Sequence, residues 1–400
     1  MTKLKFAHLA DLHLGAYREK KLTNLNFETF QIAIQKIIDN KCKFVLFAGD
    51  IFNTPIPSLD IVNSFVKEIR KLKKNKIKTY VIGGSHDYSN NQKSFIELLD
   101  STQILKNVGK FQHIDKKKFK LLFTKDDELK ICLSGIVGRK NNIEKNIYKN
   151  LSKFELNNDY FNIFLFHSTI DDLKPSNMNF KSEINKSALP IGFDYYAGGH
   201  IHNNVISNYN DKPISYSGCL FPNNFKELCD EVPSFNLCEF DFKTKKTHVE
   251  KIEINNYNKQ VIEIEINNKN PIEAKNQILE NINNYDLSGK LILLKINGKI
   301  DGKIIDIGIN KIVQEMYDKD AFIILKNTYN LKSNLIEETH VETNKTSKEL
   351  EEEIINKNLN IDFEIKLANK IINTNFSKID EEKNQEYEKR IIEILEGQLK

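Results

Sequence analysis

Side chains that commonly bind metal ions follow five apolar, strand-like runs in the first half of the chain. They are carboxylates and imidazoles, namely Asp11, His13, Asp50, His86, His167, His200 and His202. Because ligands of open α/β sheets gather outside the carboxyl ends of the strands, five strand ends can converge on one place. Seven such side chains exceed what one cation needs once positions are left for water and substrate. The pattern therefore predicts a centre for two metals.

The mixture of aspartates and histidines indicates which reaction such a centre would perform. Two cations about 4 Å apart grip the oxygens of a phosphate and activate the water that attacks it in line. A carboxylate can bridge the cations, whereas neutral imidazoles complete the coordination without repelling phosphate. One aspartate should therefore be central, and the mixed donor set favours Mn, Fe or Zn over a purely oxygen-coordinated Mg. We interpret the residues as a phosphoester-hydrolysing site.

No single element of this pattern is strong alone, because an Asp or His at a strand end is commonly a structural residue. Glycines beside the candidate ligands would let the backbone turn sharply and approach an ion, and these are Gly49, Gly84, Gly198 and Gly199. Of the remaining histidines, His8 is expected in the core or behind the ligands, and His113, His248 and His340 at the surface.

The elements that must position these residues read as a layered α/β domain. Short apolar runs alternate with amphipathic stretches, the pattern of strands joined by helices over a buried sheet. Helical spacing covers residues 27–38 and, after Ser58 as N-cap, 59–72. Strands are predicted at 44–48, 78–82, 131–137, 162–166, 195–197, 213–217, 235–242 and 248–254.

The pattern of predicted strands and helices changes near residue 255. A β-α-β pattern follows, with strands at 261–266, 291–296 and 322–326 and a helix that starts at Asn270-Pro271. A polar stretch then precedes two terminal helices, which begin with capping patterns at Thr346 and Ser377. The predicted domains are 1–255 (catalytic), 256–330 (small α+β capping domain), 331–345 (linker) and 346–400 (helical).

Bulk composition places few limits on the function. The chain carries 59 basic and 55 acidic residues, a formal charge of +4 that is too balanced to indicate a nucleic-acid-binding protein by itself. Five scattered cysteines form no CxxC pair, so reduced thiols are expected and neither a zinc ribbon nor a disulfide framework is indicated. No apolar run is long enough to span a bilayer, and we expect a soluble, cytoplasmic protein with no membrane association.

Taken in order, the motifs HLADLHLG, LFAGDIFN, GGSHD, the isolated His167 and GGHIH resemble the calcineurin-like metallophosphoesterases. DLHLG, and Tyr216-Ser217-Gly218 leading to Phe225-Lys226-Glu227, resemble more narrowly the double-strand-break repair nucleases of the meiotic recombination eleven/SbcD family. The resemblance covers about residues 1–230, and the later parts match in size and order only. It implies mixed central sheets flanked by helices, followed by the capping domain and C-terminal helices.

The resemblance also implies roles for individual residues. One metal is assigned to Asp11, His13, Asp50 and His202, and the other to Asp50, Ser85, His167 and His200, with Asp50 bridging. His86 would stabilise charge on the scissile phosphate or protonate the leaving oxygen, oriented by Asp87. The implied cofactors are two Mn²⁺ ions, with Mg²⁺, Fe²⁺ or Zn²⁺ as other options.

Two positions depart from the family pattern. Ser85 stands where the family usually has Asn, and Asn53 stands where many of its nucleases have His. A hydroxyl is a shorter and weaker neutral donor than an amide oxygen, so occupancy of the second metal position is in question. The exonuclease activity common in the family is in question for the same reason and because that histidine is missing.

The implied function is a manganese-dependent DNA nuclease that processes ends in double-strand-break repair. It would be a single-strand endonuclease, with 3′–5′ double-strand exonuclease activity as a further option. Expected partners are DNA, an SMC-like coiled-coil ABC ATPase (SbcC type) held by the terminal helices, and a second copy of the chain. Two alternatives stay open: a small-molecule or cyclic-nucleotide phosphodiesterase of the same fold, and a DNA-end-binding scaffold with weakened catalysis.

Overall fold

The computed structural model describes residues 2–89, 94–114, 118–139, 144–175, 184–334 and 387–393. Its strands are β1 (Lys3–Leu9), β2 (Phe44–Ala48), β3 (Lys78–Ile82), β4 (Lys106–Asn107), β5 (Phe111–His113), β6 (Phe119–Leu121), β7 (Thr124–Asp126), β8 (Ile131–Ile136), β9 (Phe161–His167), β10 (Tyr195–Gly199), β11 (Asn204–Tyr209), β12 (Lys212–Ser217), β13 (Ser234–Asp241), β14 (Lys246–Glu253), β15 (Lys259–Lys269), β16 (Leu291–Ile300), β17 (Ile323–Asn327) and β18 (Leu331–Ser333). Its helices are α1 (Lys20–Asp39), α2 (Leu59–Lys74), α3 (Phe95–Ser101), α4 (Lys145–Lys149), α5 (Phe225–Asp230), α6 (Pro271–Asn283) and α7 (Ile309–Asp318).

The first sheet has six strands in the order β14-β13-β1-β2-β3-β4. Strands β1 to β4 run parallel, and β13 and β14 complete the sheet in antiparallel pairs. Helices α1 and α2 pack apolar faces against it, and the predicted helices lie within them. The Ser58 hydroxyl accepts from Ile61 N, which confirms the predicted cap of α2. Strands β2 and β3 have the predicted bounds.

The second sheet, of order β11-β12-β10-β9-β8-β7, faces the first. Its central strands β8, β9, β10 and β12 are parallel, and both edge strands are antiparallel. Aromatic rings fill the space between the sheets: Phe6 stacks on Phe44 with centroids 4.8 Å apart and meets Phe161 at 5.6 Å. This apolar layer fixes the two sheets so that the carboxyl ends of β1, β2, β3, β9 and β10 share one rim.

A third sheet follows residue 255 and has its own hydrophobic core. Strands β15, β16 and β17 are parallel, with β18 beside β16, and α6 and α7 cover them. Asn270 and Glu273 form a capping box ahead of Pro271, so the helix begins where the sequence predicts. The short strand β18 is absent from the sequence prediction.

One hydrophobic cluster joins this third sheet to the earlier part of the chain. We call it the interface cluster, and its buried members are Leu22, Leu25, Phe221, Leu228, Leu291, Leu293 and Ile323. Lys21 reinforces the contact, since its ammonium donates to the carbonyl of Phe322 at 2.6 Å. The third sheet therefore packs directly on the two-sheet domain whose strand ends carry the candidate metal ligands.

Some sequence expectations concern regions outside these elements. The first residues of the predicted linker, 331–334, are described and include β18, which pairs with β16. The rest of that linker and the starts of both terminal helices lie outside the described residues, and beyond residue 334 only 387–393 are described. Across the ranges the structure describes, no helix combines the length and apolarity needed to cross a bilayer. All five cysteines are free thiols, four of them buried and Cys229 half-buried, which confirms the sequence interpretation.

Candidate metal centre

Four of the predicted ligands sit on backbone that L-residues rarely adopt. The φ angles are 52° at Asp11, 43° at His13, 51° at Asp50 and 92° at His200. Such left-handed conformations cost of order 1–3 kcal/mol each and persist only where the surrounding structure enforces them. Here Asp11 N donates to Gly49 O and His13 N to Asp50 O, both at 3.0 Å. Nine other described non-glycine residues share this conformation, so the meeting of four such residues with metal-binding side chains at one rim, and not the strain alone, points to a functional site.

Two glycines allow the loops at this rim to approach one another. A Cβ on Gly84 would lie 2.2 Å from Asp50 Oδ1, and a Cβ on Gly199 would lie 2.1 Å from the carbonyl oxygen of Ala48. Neither distance is compatible with a side chain, so the loops after β2, β3 and β10 can meet only with glycine at these positions. At both positions the backbone closely approaches other protein atoms, and its approach to an ion stays a prediction.

The first group of candidate ligands contains Asp11, His13 and His202, whose donor atoms all lie within 4.8 Å of one another. The Nε2 atoms of His13 and His202 are 3.2 Å apart, and Asp11 Oδ1 is 4.0 Å from His202 Nε2. Burial lowers the pKa of His13 to about 3. Its imidazole is therefore neutral near pH 7, the form that a metal ligand requires.

The second group contains Asp50, His167 and His200, again with donor atoms within 4.8 Å. His167 donates from Nδ1 to the carbonyl oxygen of Ala48 at 2.8 Å, which directs Nε2 into the site. That Nε2 lies 3.2 Å from Asp50 Oδ2, an ion-pair contact, and is buried with no hydrogen-bond partner among the described residues. A buried nitrogen left in this way fits a metal ligand.

Asp50 lies between the two groups. Its Oδ2 is 3.2 Å from His167 Nε2 and 3.8 Å from His13 Nε2, while Oδ1 accepts from His86 N at 2.8 Å. Although burial opposes it, the surrounding imidazoles hold the pKa of Asp50 well below its usual range. The residues therefore fit a pair of divalent cations: two sets of nitrogen and oxygen donors with an ionised carboxylate between them.

His86 lies at the exposed rim of the site. Its Nδ1 donates to the backbone carbonyl oxygen of Asn53 at 2.9 Å, and its ring centroid is 4.8 Å from that of His13. One of its ring nitrogens lies within 4.8 Å of donor atoms of His13 and Asp50, so the geometry brings it to the same centre.

Asp87 does not orient His86, contrary to the expectation from the sequence. Its carboxylate is buried and accepts from three backbone N–H groups: Gly84 at 2.9 Å, Phe52 at 3.0 Å and Ile51 at 3.3 Å. The Asp87 side chain points away from His86 and into the protein, where it joins the loops after β2 and β3. The carbonyl of Asn53 is the group that holds the His86 ring.

Ser85 is brought to the second group. Its hydroxyl is half-buried and lies 3.5 Å from Asp50 Oδ2, the outer limit of a hydrogen bond. The seven predicted metal-site residues and His86 therefore lie together, and Asp87 supports them from beneath.

Glu227, to which the sequence motifs assign no role, has its carboxylate 2.9 Å from His202 Nδ1. The only signal was its position at the end of the Phe225-Lys226-Glu227 motif. His8 lies where it was expected, fully buried behind the ligands, with Nδ1 2.8 Å from the Tyr195 hydroxyl and Nε2 3.1 Å from Gly198 O. His113 and His248 are exposed as predicted, and His340 lies outside the described residues.

Comparison with known proteins gives one family and several relatives. The profile of the calcineurin-like phosphoesterase family matches residues 4–204. A DNA double-strand break repair protein Mre11 from Methanocaldococcus jannaschii is 25% identical over 366 residues, covering 83% of this chain and 93% of that protein. Proteins of the same name from Methanococcus maripaludis and Archaeoglobus fulgidus are 30% and 22% identical, over 54% and 70% of this chain and 56% and 63% of theirs.

Proposed function

The chain belongs to the calcineurin-like phosphoesterase family, and from that premise we propose that it is a nuclease that hydrolyses phosphodiester bonds of DNA at the candidate metal centre. The proposal goes beyond the metal-dependent phosphoesterase chemistry of the family in three respects: the substrate is DNA, the ions are two Mn²⁺, and Asp50 is the residue they share. The relatives named for double-strand-break repair support the choice of substrate.

The observation that carries the proposal is the position of Asp50. One carboxylate oxygen faces both a histidine of the first group and a histidine of the second, at 3.8 Å and 3.2 Å. Asp11, His13 and His202 would hold one cation, His167, His200 and Ser85 the other, and Asp50 both. When bound, the cations would supply Lewis-acid chemistry, polarising the phosphate and lowering the pKa of the attacking water.

The protein itself would orient the substrate and move one proton. Nδ1 of His86 is committed to the Asn53 carbonyl, so Nε2 is the nitrogen available to the substrate. A protonated Nε2 at the exposed rim can donate to the scissile phosphate or to the leaving oxygen as the P–O bond breaks. Asp87 would act through the backbone, by holding together the loops that carry Asp50 and His86.

The later parts of the chain would supply DNA and partner contacts. We assign residues 256–330 to a capping domain that contacts DNA and residues 346–400 to a helical region that binds the coiled coil of an SMC-like ABC ATPase. A second copy of the chain would complete a homodimer. Deleting residues 346–400 should leave nuclease activity intact and abolish co-purification with the ATPase, and unchanged co-purification would contradict that assignment.

Digestion of defined DNA tests the proposed function. Single-stranded and double-stranded oligonucleotides are incubated with the full chain with and without Mn²⁺, beside a small chromogenic phosphodiester. Cleavage of both DNA and the small diester is the expected result. Cleavage of the small diester alone would favour a small-molecule phosphodiesterase, and DNA binding without any cleavage would favour an end-binding scaffold.

A further inference from the structure

The histidine at the end of the GGHIH motif has a carboxylate partner behind it. His202 Nδ1 lies 2.9 Å from Glu227 Oε1, and both side chains are 20% exposed. Since a carboxylate can only accept, Nδ1 must carry a proton, and in the neutral ring Nε2, which faces His13, is then the nitrogen that keeps a lone pair. Metal-binding histidines depend on such a partner, which fixes the ring and its tautomer.

Helix α5 presents this carboxylate to the loop that carries His202. Within its first turn, Glu227 N donates to the N-cap side chain of Asn224 at 3.0 Å, and Glu227 Oε2 accepts from Asn223 N at 2.7 Å. At the other end of the helix, Glu231 accepts a hydrogen bond from the side chain of Asn203. Both ends of α5 therefore contact neighbouring residues of one loop.

The third sheet in turn holds α5. The Lys259 ammonium, at the start of β15, donates to the carbonyl oxygens of Leu228, Cys229 and Glu231 at 2.7, 2.9 and 2.9 Å. These carbonyls belong to the last turn of the helix and its C-cap, which have no partners within the helix. Leu228 is fully buried in the interface cluster beside residues of β16. Position and orientation of α5 thus depend on contacts from the third sheet.

We propose that Glu227 is a positioning residue for His202, and that Lys259 links the third sheet to the metal centre by holding the helix that bears Glu227. This inference rests on the proposed metal centre, since it assigns His202 Nε2 to a cation. It makes the third sheet a structural part of the catalytic site. A change in its packing would reach the first group of ligands through Lys259, α5 and Glu227.

Calorimetric titration with Mn²⁺ tests the first link without requiring turnover. The wild-type chain should bind two ions, and Glu227→Ala should weaken binding at one of them by about tenfold, as expected for a residue behind a metal ligand. Glu227→Gln keeps an oxygen that accepts from Nδ1 and should recover part of the loss. Affinities equal to wild type in Glu227→Ala would overturn the inference while leaving the metal centre in place. A wild-type chain that binds no Mn²⁺ would overturn both.

The matched control is Asp230→Ala, which removes another carboxylate of α5, one that is exposed. It should leave Mn²⁺ affinity close to wild type. An equal loss of affinity in Asp230→Ala and Glu227→Ala would mean that the effect comes from the charge of the helix and not from the contact with His202, and would contradict the positioning role. Nitrogen NMR of His202 in the Zn²⁺-loaded protein gives a second readout, with a protonated Nδ1 expected in wild type.

The second link is tested by Lys259→Met, which keeps the aliphatic stem and removes the ammonium. We expect weaker Mn²⁺ binding in the same direction as for Glu227→Ala. Because both changes act through α5, the loss in the double variant should be smaller than the product of the single losses. Losses that multiply, or wild-type affinity in Lys259→Met, would overturn the link to the third sheet.

Discussion

Nδ1 of His86 donates a hydrogen bond to the backbone carbonyl of Asn53 across 2.9 Å, so main chain fixes the ring at the rim of the centre. The same loop after β2 carries Asp50, whose Oδ1 accepts from the backbone N–H of His86 at 2.8 Å. These two contacts join the proposed bridging carboxylate and the proposed proton donor into one rigid unit. The side chain of Asn53 takes no part in either contact.

His86→Ala should keep both metals and lose catalysis. The imidazole is assigned to the transition state and not to a cation, so we expect a rate loss of at least about 10²-fold. Metal content measured beside DNA cleavage checks this. Asn53→Ala is the control, because it retains the carbonyl that holds the ring and should lose far less activity. Loss of a metal ion in His86→Ala would contradict the assigned role.

Ser85→Asn should strengthen the second metal position. The Ser85 hydroxyl lies 3.5 Å from Asp50 Oδ2, and an amide oxygen would extend further toward the proposed cation and donate more strongly to it. The Mn²⁺ concentration for half-maximal cleavage is expected to fall about tenfold, the low end of the range for changes around a metal site. Titration curves of Ser85→Asn and wild type that superimpose would mean that the coordination shell of the second metal position is already complete with Ser85.

Asp87→Asn should destabilise the fold. An amide in this place would turn its own N–H groups toward backbone N–H groups that now donate to a carboxylate, leaving at least one of them unpaired. The free energy of unfolding should fall by about 3 kcal/mol, measured with urea. Asp159→Asn, at an exposed position, serves as the control and should change little. An unfolding curve of Asp87→Asn equal to wild type would refute the bracing role.

Protonation of the buried His8 imidazole should make the protein less stable in mild acid. Burial lowers the pKa of His8 to about 3, whereas in the unfolded chain it titrates near 6.5. The neutral form is therefore favoured in the fold, and its contribution is complete above pH 6.5 and is lost as pH falls toward 3. The loss approaches about 1.4 kcal/mol per pH unit. His8→Gln should show a shallower decline of stability over this range, and equal slopes would contradict the prediction.

Continuous apolar runs allowed the central elements to be predicted from sequence. FVLFA and KTYVI gave β2 and β3 their bounds because both are buried along nearly their whole length. The edge strand β11 was missed because its residues alternate between half-buried and exposed and carry polar side chains. Strands of two or three residues, such as β4 and β18, are too short to show a period.

At the site, residue types and order predicted which side chains meet, but not where each one points. His86 and Asp87 are adjacent in sequence, yet one side chain faces the rim and the other faces the loops beneath. The contact of Glu227 with His202 depends on how α5 packs against the third sheet, which no local pattern encodes. The orientation of individual side chains and the packing between distant elements could not be predicted from the sequence alone.

The most direct test of the two-metal account is anomalous diffraction at the manganese edge from crystals of the full chain grown with Mn²⁺. The account predicts two peaks about 4 Å apart, one against Asp11, His13 and His202, the other against His167 and His200, with the Asp50 carboxylate between them. A single peak, or two peaks that do not share Asp50, would contradict it.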